Sequence, residues 1–227
     1  MIIAIDGPAS SRKGTVSINI ALKYNLRFLN SGALYRAVGL LLLRDKTLND
    51  NNFRFKAISY SQKLKFDFTE DFDILLDGED VSEVVRDNQV SMLAARAAQI
   101  KKVRETLDVF QLEFIEKHKK QGVVIDGRDI GTYLIPDADL KLFLTCPIAD
   151  RAKRRQKQLR KRLNQDISLS DVLNSIVERD KMDTERELRP LQKADDAITV
   201  DMSQGRVKDI LYVIDIYINR AINRESK

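Results

Sequence analysis

Lys13, Gly14 and Thr15 follow a short apolar run and a turn, in the order IIAID-GPASSRKGT over residues 2–15. A lysine and a hydroxyl at the start of a helix, behind a flexible loop, can hold phosphate. Backbone N–H groups at a helix N-terminus face phosphate oxygens, and the helix dipole favours their negative charge. Lys13 would reach the outer phosphates as a point charge, and the Thr15 hydroxyl would serve a phosphate nearer a ribose. Gly7, Pro8, Ala9, Ser10, Ser11, Arg12, Lys13, Gly14 and Thr15 are therefore the candidate phosphate-binding residues. Arg12 stands where the G-x-x-x-x-G-K pattern has its second glycine, the residue that lacks a Cβ and accepts positive φ. An arginine there adds a cation beside the phosphates, and strains the turn by about 1–3 kcal/mol if φ must be positive. Positioning carries most of phosphoryl-transfer catalysis, so a disturbed loop depresses turnover more than affinity.

The elements that must position this loop can be read from hydrophobic pattern. Besides IIAID, four short runs rich in Val, Ile, Leu and Phe read as strands covered on both faces: RFLN (27–30), GVVIDG (122–127), LKLFLT (140–145) and AITVD (197–201). Helical patterns separate them, most clearly at 14–24, 101–120, 147–163, 169–187 and 205–223. Strands alternating with helices imply an α/β fold with a parallel sheet and right-handed crossovers. The segment 46–90 breaks that rhythm. There LKFDFT, DILLDGED and VSEVVRD read as small antiparallel strands, with Asp77-Gly78 as a hairpin turn, in an insertion beside the main sheet. RAKRRQKQLRKRLNQD reads as a dense basic helix after Pro147.

Composition narrows the class. The 227 residues are 43% hydrophobic and 32% charged, enough for a sizeable core and unlike a disordered chain. Thirty-nine basic against 34 acidic residues leave a net charge of +5, which suits polyanions such as nucleotides or nucleic acid. Cys146 is the only cysteine, so no intramolecular disulfide is possible and a reducing cytosol is expected. The N-terminal apolar run ends at Asp6, unlike a signal peptide, and AVGLLLL at 37–43 is far short of the ~20 residues of a membrane span. A soluble cytoplasmic protein is the expectation.

Six motifs then carry a family resemblance: NSGALYRA (30–37), DGEDVSEVVR (77–86), VRETL (103–107), DGRDIGTYLIPDADLKLFL (126–144), RAKRR (151–155) and ERDKMDTERELRPL (178–191). In this order they resemble bacterial cytidylate kinases, from Ile2 to about Asp201. The resemblance implies a P-loop NTPase-type three-layer α/β fold with a five-stranded parallel sheet. It implies a core of 1–45, 91–146 and 192–227, an NMP-binding insertion at 46–90, and a helical lid with its following helix at 147–191. The implied reaction moves the γ-phosphoryl of ATP to CMP or dCMP, with Mg²⁺.

Residue roles follow from the same resemblance. Lys13, Arg128 and Arg186 are the catalytic candidates. Arg36, Arg128 and Arg186 match positions that hold the acceptor phosphate, a task for planar, permanently charged forks. Ser31 belongs to the same CMP-binding set. Arg179 and Asp183 match positions that contact ribose hydroxyls, and Arg151, Arg154 and Arg155 match lid arginines brought over ATP when closure excludes water. Asp129 and Arg104 match base-reading positions: a carboxylate accepts from cytosine N4, whereas uracil O4 would leave it unpaired. Asp129 could instead help hold Mg²⁺ through water, together with Asp126. A plainer reading makes these arginines weak surface partners, Arg179 of Glu178 and Arg186 of Glu185.

The chain departs from the family pattern at Arg12, at Asn30 where aspartate is usual, at Ala95 where a serine touches cytosine, and at Ser10. The missing serine removes a hydrogen bond of about 0.5–1.5 kcal/mol. Arg12 supports an alternative: a degenerate member that binds nucleotide but transfers phosphate weakly or not at all. A kinase for another small acceptor, or an RNA-binding protein using the basic helix at 151–162, is less well supported by the motifs. The expected partners are ATP and CMP or dCMP, without nucleic acid or membrane. A monomer is expected because no apolar stripe is left over.

Overall fold

A computed structural model describes residues 1–69, 72–164, 166–203 and 205–225, with no side-chain description for 162, 163, 224 and 225. Gln165, in the basic stretch, lies outside the described residues. The chain forms two compact units, Met1–Leu29 with Lys117–Lys227, and Asn30–Glu116.

The first unit is built on a five-stranded sheet. In chain order its strands are β1 (Ile2–Asp6), β2 (Arg27–Asn30), β6 (Val123–Asp126), β7 (Leu140–Thr145) and β8 (Ile198–Asp201), arranged β2-β6-β1-β7-β8. β1 runs parallel to both β6 and β7, and β7 runs parallel to β8. Their near-continuous apolar runs follow from burial on both faces: Ile3, Ala4, Ile5, Val123, Val124 and Ile125 are fully covered. All five strands lie where the hydrophobic pattern places them. Helix α1 (Lys13–Tyr24) packs on β6 and β1, and α8 (Val207–Glu225) packs on α1 and β7. Helices α6 (Ile148–Leu163) and α7 (Leu169–Thr184) pair through a small apolar seam of Ala152, Val172 and Ile176.

β1 lies between strands that come later in the chain on both sides. The crevice beyond its carboxyl end is therefore the topological switch point, where open α/β sheets bind ligands.

The second unit holds α2 (Ser31–Arg44), α3 (Phe53–Gln62), α4 (Asn88–Ala97), α5 (Lys101–His118) and an antiparallel sheet of β3 (Phe66–Phe68), β4 (Ile74–Leu76) and β5 (Glu79–Asp80). It is wider than the 46–90 insertion because α2 packs closely along α4. At Gly39 an added Cβ would come within 2.5 Å of Val90 O, so only glycine allows that approach. The Asp77-Gly78 turn forms as expected, with both φ positive (50° and 81°). VSEVVRD is not a strand. Val81 and Val85, four apart, are buried while Val84 is exposed, and a 3₁₀ turn covers Val84–Arg86. α3, within the same segment, was also unforeseen.

Among the described residues no helix is long and apolar enough to cross a membrane. The premise that no apolar stripe is left over does not hold. On α8, Tyr212, Val213 and Ile216 are exposed at 71%, 46% and 43%.

Candidate active site

The loop after β1 turns sharply because β7 runs beside it. An added Cβ at Gly7 (φ +146°) would fall 2.2 Å from Leu144 O, so this position must be glycine. Ser10 (φ 58°) and Arg12 (φ 69°, ψ 15°) are both left-handed. Arg12 thus adopts a conformation that glycine takes readily, and the loop holds a strained residue there. Thr15, at the start of α1, is exposed.

Lys13 is buried. Its Nζ donates to Gly7 O at 2.7 Å, Pro8 O at 2.8 Å and Ser11 Oγ at 3.4 Å. Burial, reinforced by the nearby Arg128 charge, pushes its ammonium well below the usual lysine range. The negative charge of a bound phosphate would offset both effects.

A cation cluster surrounds Asp183 in the same unit. Arg128 Nε donates to Asp183 Oδ2 at 2.7 Å and its NH1 to Gly127 O at 3.1 Å. Arg186 NH1 lies 3.9 Å from Asp183 Oδ1, its NH2 lies 3.5 Å from Asp129 Oδ1, and its Nε donates to Arg189 O at 2.7 Å. Burial opposes the Asp183 charge, but Arg128, Arg179 and Arg186 together hold its carboxyl below the ordinary range. Arg179 is pushed down to about 10 by burial and by Arg128. Its buried Nε has no hydrogen-bond partner. A buried donor left open inside such a cluster is an arrangement that an oxygen acceptor of a substrate completes. The plainer surface-pair reading fails here: Arg186 turns to Asp129 and Asp183, and it is Lys181 that lies 3.8 Å from Glu185.

Two of the three expected lid arginines touch the loop directly. Arg151 is buried, its Nε donating to Cys146 O at 2.9 Å and its NH1 to Ala9 O at 3.1 Å. Arg154 NH1 donates to Ser10 O at 2.7 Å. The charge of Arg155 reaches Arg179.

In the second unit, Ser31 opens α2 and is buried. Asn30 caps that helix, its Oδ1 accepting from Ala33 N at 3.0 Å and from Arg36 NH2 at 3.5 Å. Arg104, on α5, is buried, donates to Ala98 O at 3.2 Å and lies 5.6 Å from the centre of the Tyr35 ring. Ala95 lies buried on α4.

Two carboxylates escaped the sequence reading. Asp6, at the end of β1, accepts from Ile130 N at 3.0 Å and Gly131 N at 2.8 Å. Burial raises it to about 6 against those two donations, and the Asp129 charge adds to the rise. Asp180 accepts from Ala9 N at 3.3 Å and from Arg151 NH1 at 2.5 Å. The first had a signal, since β1 and β6 both end in Ile-Asp and are each followed by glycine. The second differs from its acidic neighbours only by position on α7.

Among the described residues no three His, Cys, Asp or Glu side chains gather as a metal cage. Asp126 is a buried hard-oxygen donor at the end of β6, and a Cβ on Gly14 would lie 3.5 Å from its Oδ2. One carboxylate beside a phosphate loop suits Mg²⁺, which takes most of its ligands from phosphate oxygens and water.

The family profile described as cytidylate kinase matches residues 3–220. A cytidylate kinase of Caldicellulosiruptor saccharolyticus is 37% identical, covering 98% of this chain and 97% of its own. One from Acinetobacter baumannii is 36% identical over 96% of each. Among solved structures, an uncharacterized protein from Eubacterium ventriosum aligns with a TM-score of 0.53 at 16% identity, covering 97% of this chain and 98% of its own. A shikimate kinase from Bacteroides thetaiotaomicron aligns at 0.50 and 11% identity, covering 96% and 98%. These two speak to the α/β fold.

Proposed function

The chain belongs to the cytidylate kinase family and is an enzyme that phosphorylates CMP from ATP; on that premise we propose how its residues divide the work, with dCMP as a second acceptor. The observation that carries this division is the cluster of Arg128, Arg179 and Arg186 around Asp183, within electrostatic reach of the buried Lys13, with Arg179 Nε unsatisfied.

The loop Gly7–Thr15 binds the ATP phosphates, and Lys13 leaves the loop carbonyls for the β- and γ-phosphates. Arg128 and Arg186 hold the acceptor phosphate, a role the family also gives Arg36. An oxygen of that phosphate bonds to the γ-phosphorus as the bond to the β–γ bridging oxygen breaks, and ADP leaves with the electron pair. Lys13 and the arginines neutralise the charge spread over the transferring group. Arg179 and Asp183 serve the ribose hydroxyls. Asp129 accepts from cytosine N4, and Arg104 and Ser31 complete the CMP contacts. Arg154 and Arg155 lie over ATP on closure. Asp126 would hold Mg²⁺ through water beside the phosphate loop, and the ion would supply charge neutralisation on the ATP phosphates.

The degenerate-member alternative is not favoured, because Arg12 preserves the glycine-like backbone. All these residues lie in one chain, so the proposed site is complete without a second copy; the free, buried Cys146 is in keeping with a reducing cytoplasm. Steady-state ADP formation with CMP, dCMP, UMP and AMP tests the reading. CMP-dependent turnover well above that with UMP and AMP is expected; equal rates with UMP would overturn base reading by Asp129.

A further inference from the structure

Ala9, in the middle of the phosphate loop, has both of its backbone polar groups held by side chains from α6 and α7. Its N–H donates to Asp180 Oδ1 at 3.3 Å, and its carbonyl accepts from Arg151 NH1 at 3.1 Å. The same Arg151 NH1 donates to Asp180 Oδ2 at 2.5 Å, and Arg151 Nε donates to Cys146 O at 2.9 Å where β7 ends. Ala9 and Arg151 are 4% and 6% exposed and the Asp180 side chain 17%, so the clamp is largely, though not fully, shielded from water, which strengthens its charge-assisted bonds.

We propose that Asp180 and Arg151 are positioning residues that clamp Ala9 and so set the backbone of the phosphate loop for ATP. The clamp matters in this chain because Ser10 and Arg12, on the far side of Ala9, are both non-glycine residues in left-handed conformation. Such strain persists only where the surroundings over-determine it. Arg154, half-buried where Arg151 is buried, adds a further tie through Ser10 O that it would give up on closing over ATP. Arg151 therefore belongs to the loop's scaffold and does not travel to the nucleotide as a lid arginine. With its N–H engaged by Asp180, Ala9 serves the shape of the loop, leaving the amides nearer α1 for phosphate.

This inference rests on the ATP-binding reading of the loop, and equilibrium ATP binding tests it without turnover. ATP affinity by titration calorimetry, KM for ATP, KM for CMP and the thermal midpoint are compared for the parent, Asp180→Asn, Asp180→Ala, Arg151→Met and the Asp180→Ala/Arg151→Met double variant. Loss of a buried charge-assisted bond predicts ATP Kd and KM for ATP about tenfold higher in Asp180→Ala, with KM for CMP changed less than about twofold. Asp180→Asn, which keeps an acceptor for Ala9, should fall between parent and Asp180→Ala, and it carries the test if Asp180→Ala does not fold. The double variant should be no worse than the worse single one, because the pair acts as a unit. Unchanged or tighter ATP binding, or equal changes in both KM values, would overturn the clamp. A parent that binds ATP but ignores CMP would defeat the acceptor assignment while leaving the clamp to be judged by binding alone.

Discussion

Arg128 and Asp183, 55 positions apart, meet through a 2.7 Å bond from Nε to Oδ2, and the charged site of the first unit is arranged around that pair. Removing one partner of a buried pair leaves the other uncompensated. Asp183→Ala is expected to cost about 3–5 kcal/mol in stability. It should also lower kcat/KM for CMP by more than about a hundredfold, since it disturbs Arg128 and Arg186 together. Thermal unfolding and steady-state kinetics check both. Because the folded carboxyl lies below its usual 3.8, its contribution is present above that value and is lost as pH falls through the lowered one.

Asp6 has the opposite sign. Its folded carboxyl, raised to about 6 from 3.8, binds protons that the unfolded chain has already released. Its contribution is therefore complete below 3.8 and is lost as pH rises to about 6. Unfolding free energies of the parent and Asp6→Asn, taken across that interval, should converge or cross as pH rises. A constant difference between them would show that Asp6 does not titrate there.

Arg12→Gly relieves a left-handed conformation that costs a non-glycine residue about 1–2 kcal/mol, while glycine returns about 0.4–1 kcal/mol to the unfolded chain. The thermal midpoint should rise by about 2 °C. CMP-dependent turnover should stay within a few fold of the parent, or increase, because the loop backbone is already in the glycine conformation. Calorimetry and ADP formation read the two quantities separately. A near-silent parent rescued by the substitution would show that the side chain itself blocks catalysis.

Asn30 caps α2 through Ala33 N and faces Arg36. Asn30→Ala should cost about 1 kcal/mol. Asn30→Asp keeps the acceptor and adds a charge at a helix N-terminus, gaining about 0.3–1 kcal/mol that high salt should erode. Denaturant unfolding at low and high ionic strength distinguishes the two effects.

Much of the fold was legible without coordinates, because local pattern reports it. Strands buried on both faces are apolar runs, amphipathic helices repeat at their own period, and a lysine behind a glycine turn marks the phosphate loop. The misread elements lie where pattern is ambiguous. α2, apolar nearly all round, is not singled out as a helix at all, and VSEVVRD, read as a strand, mixes alternation with a spacing of four, which burial of Val81 and Val85 resolves as a turn of helix. Motif order named candidate site residues, yet it could not say what each touches. Arg151, placed among the lid arginines by its motif, proves to be anchored to Ala9, Cys146 and Asp180. Asp180 reaches Ala9 across 171 positions, and Asp6 reaches Ile130 across 124. Short-range periodicity carries no information over such separations. The chain's own order of residues thus determined strands, loop and chemistry class, whereas the pairing of buried charges was decided only when the sheet brought the carboxyl ends of its strands together.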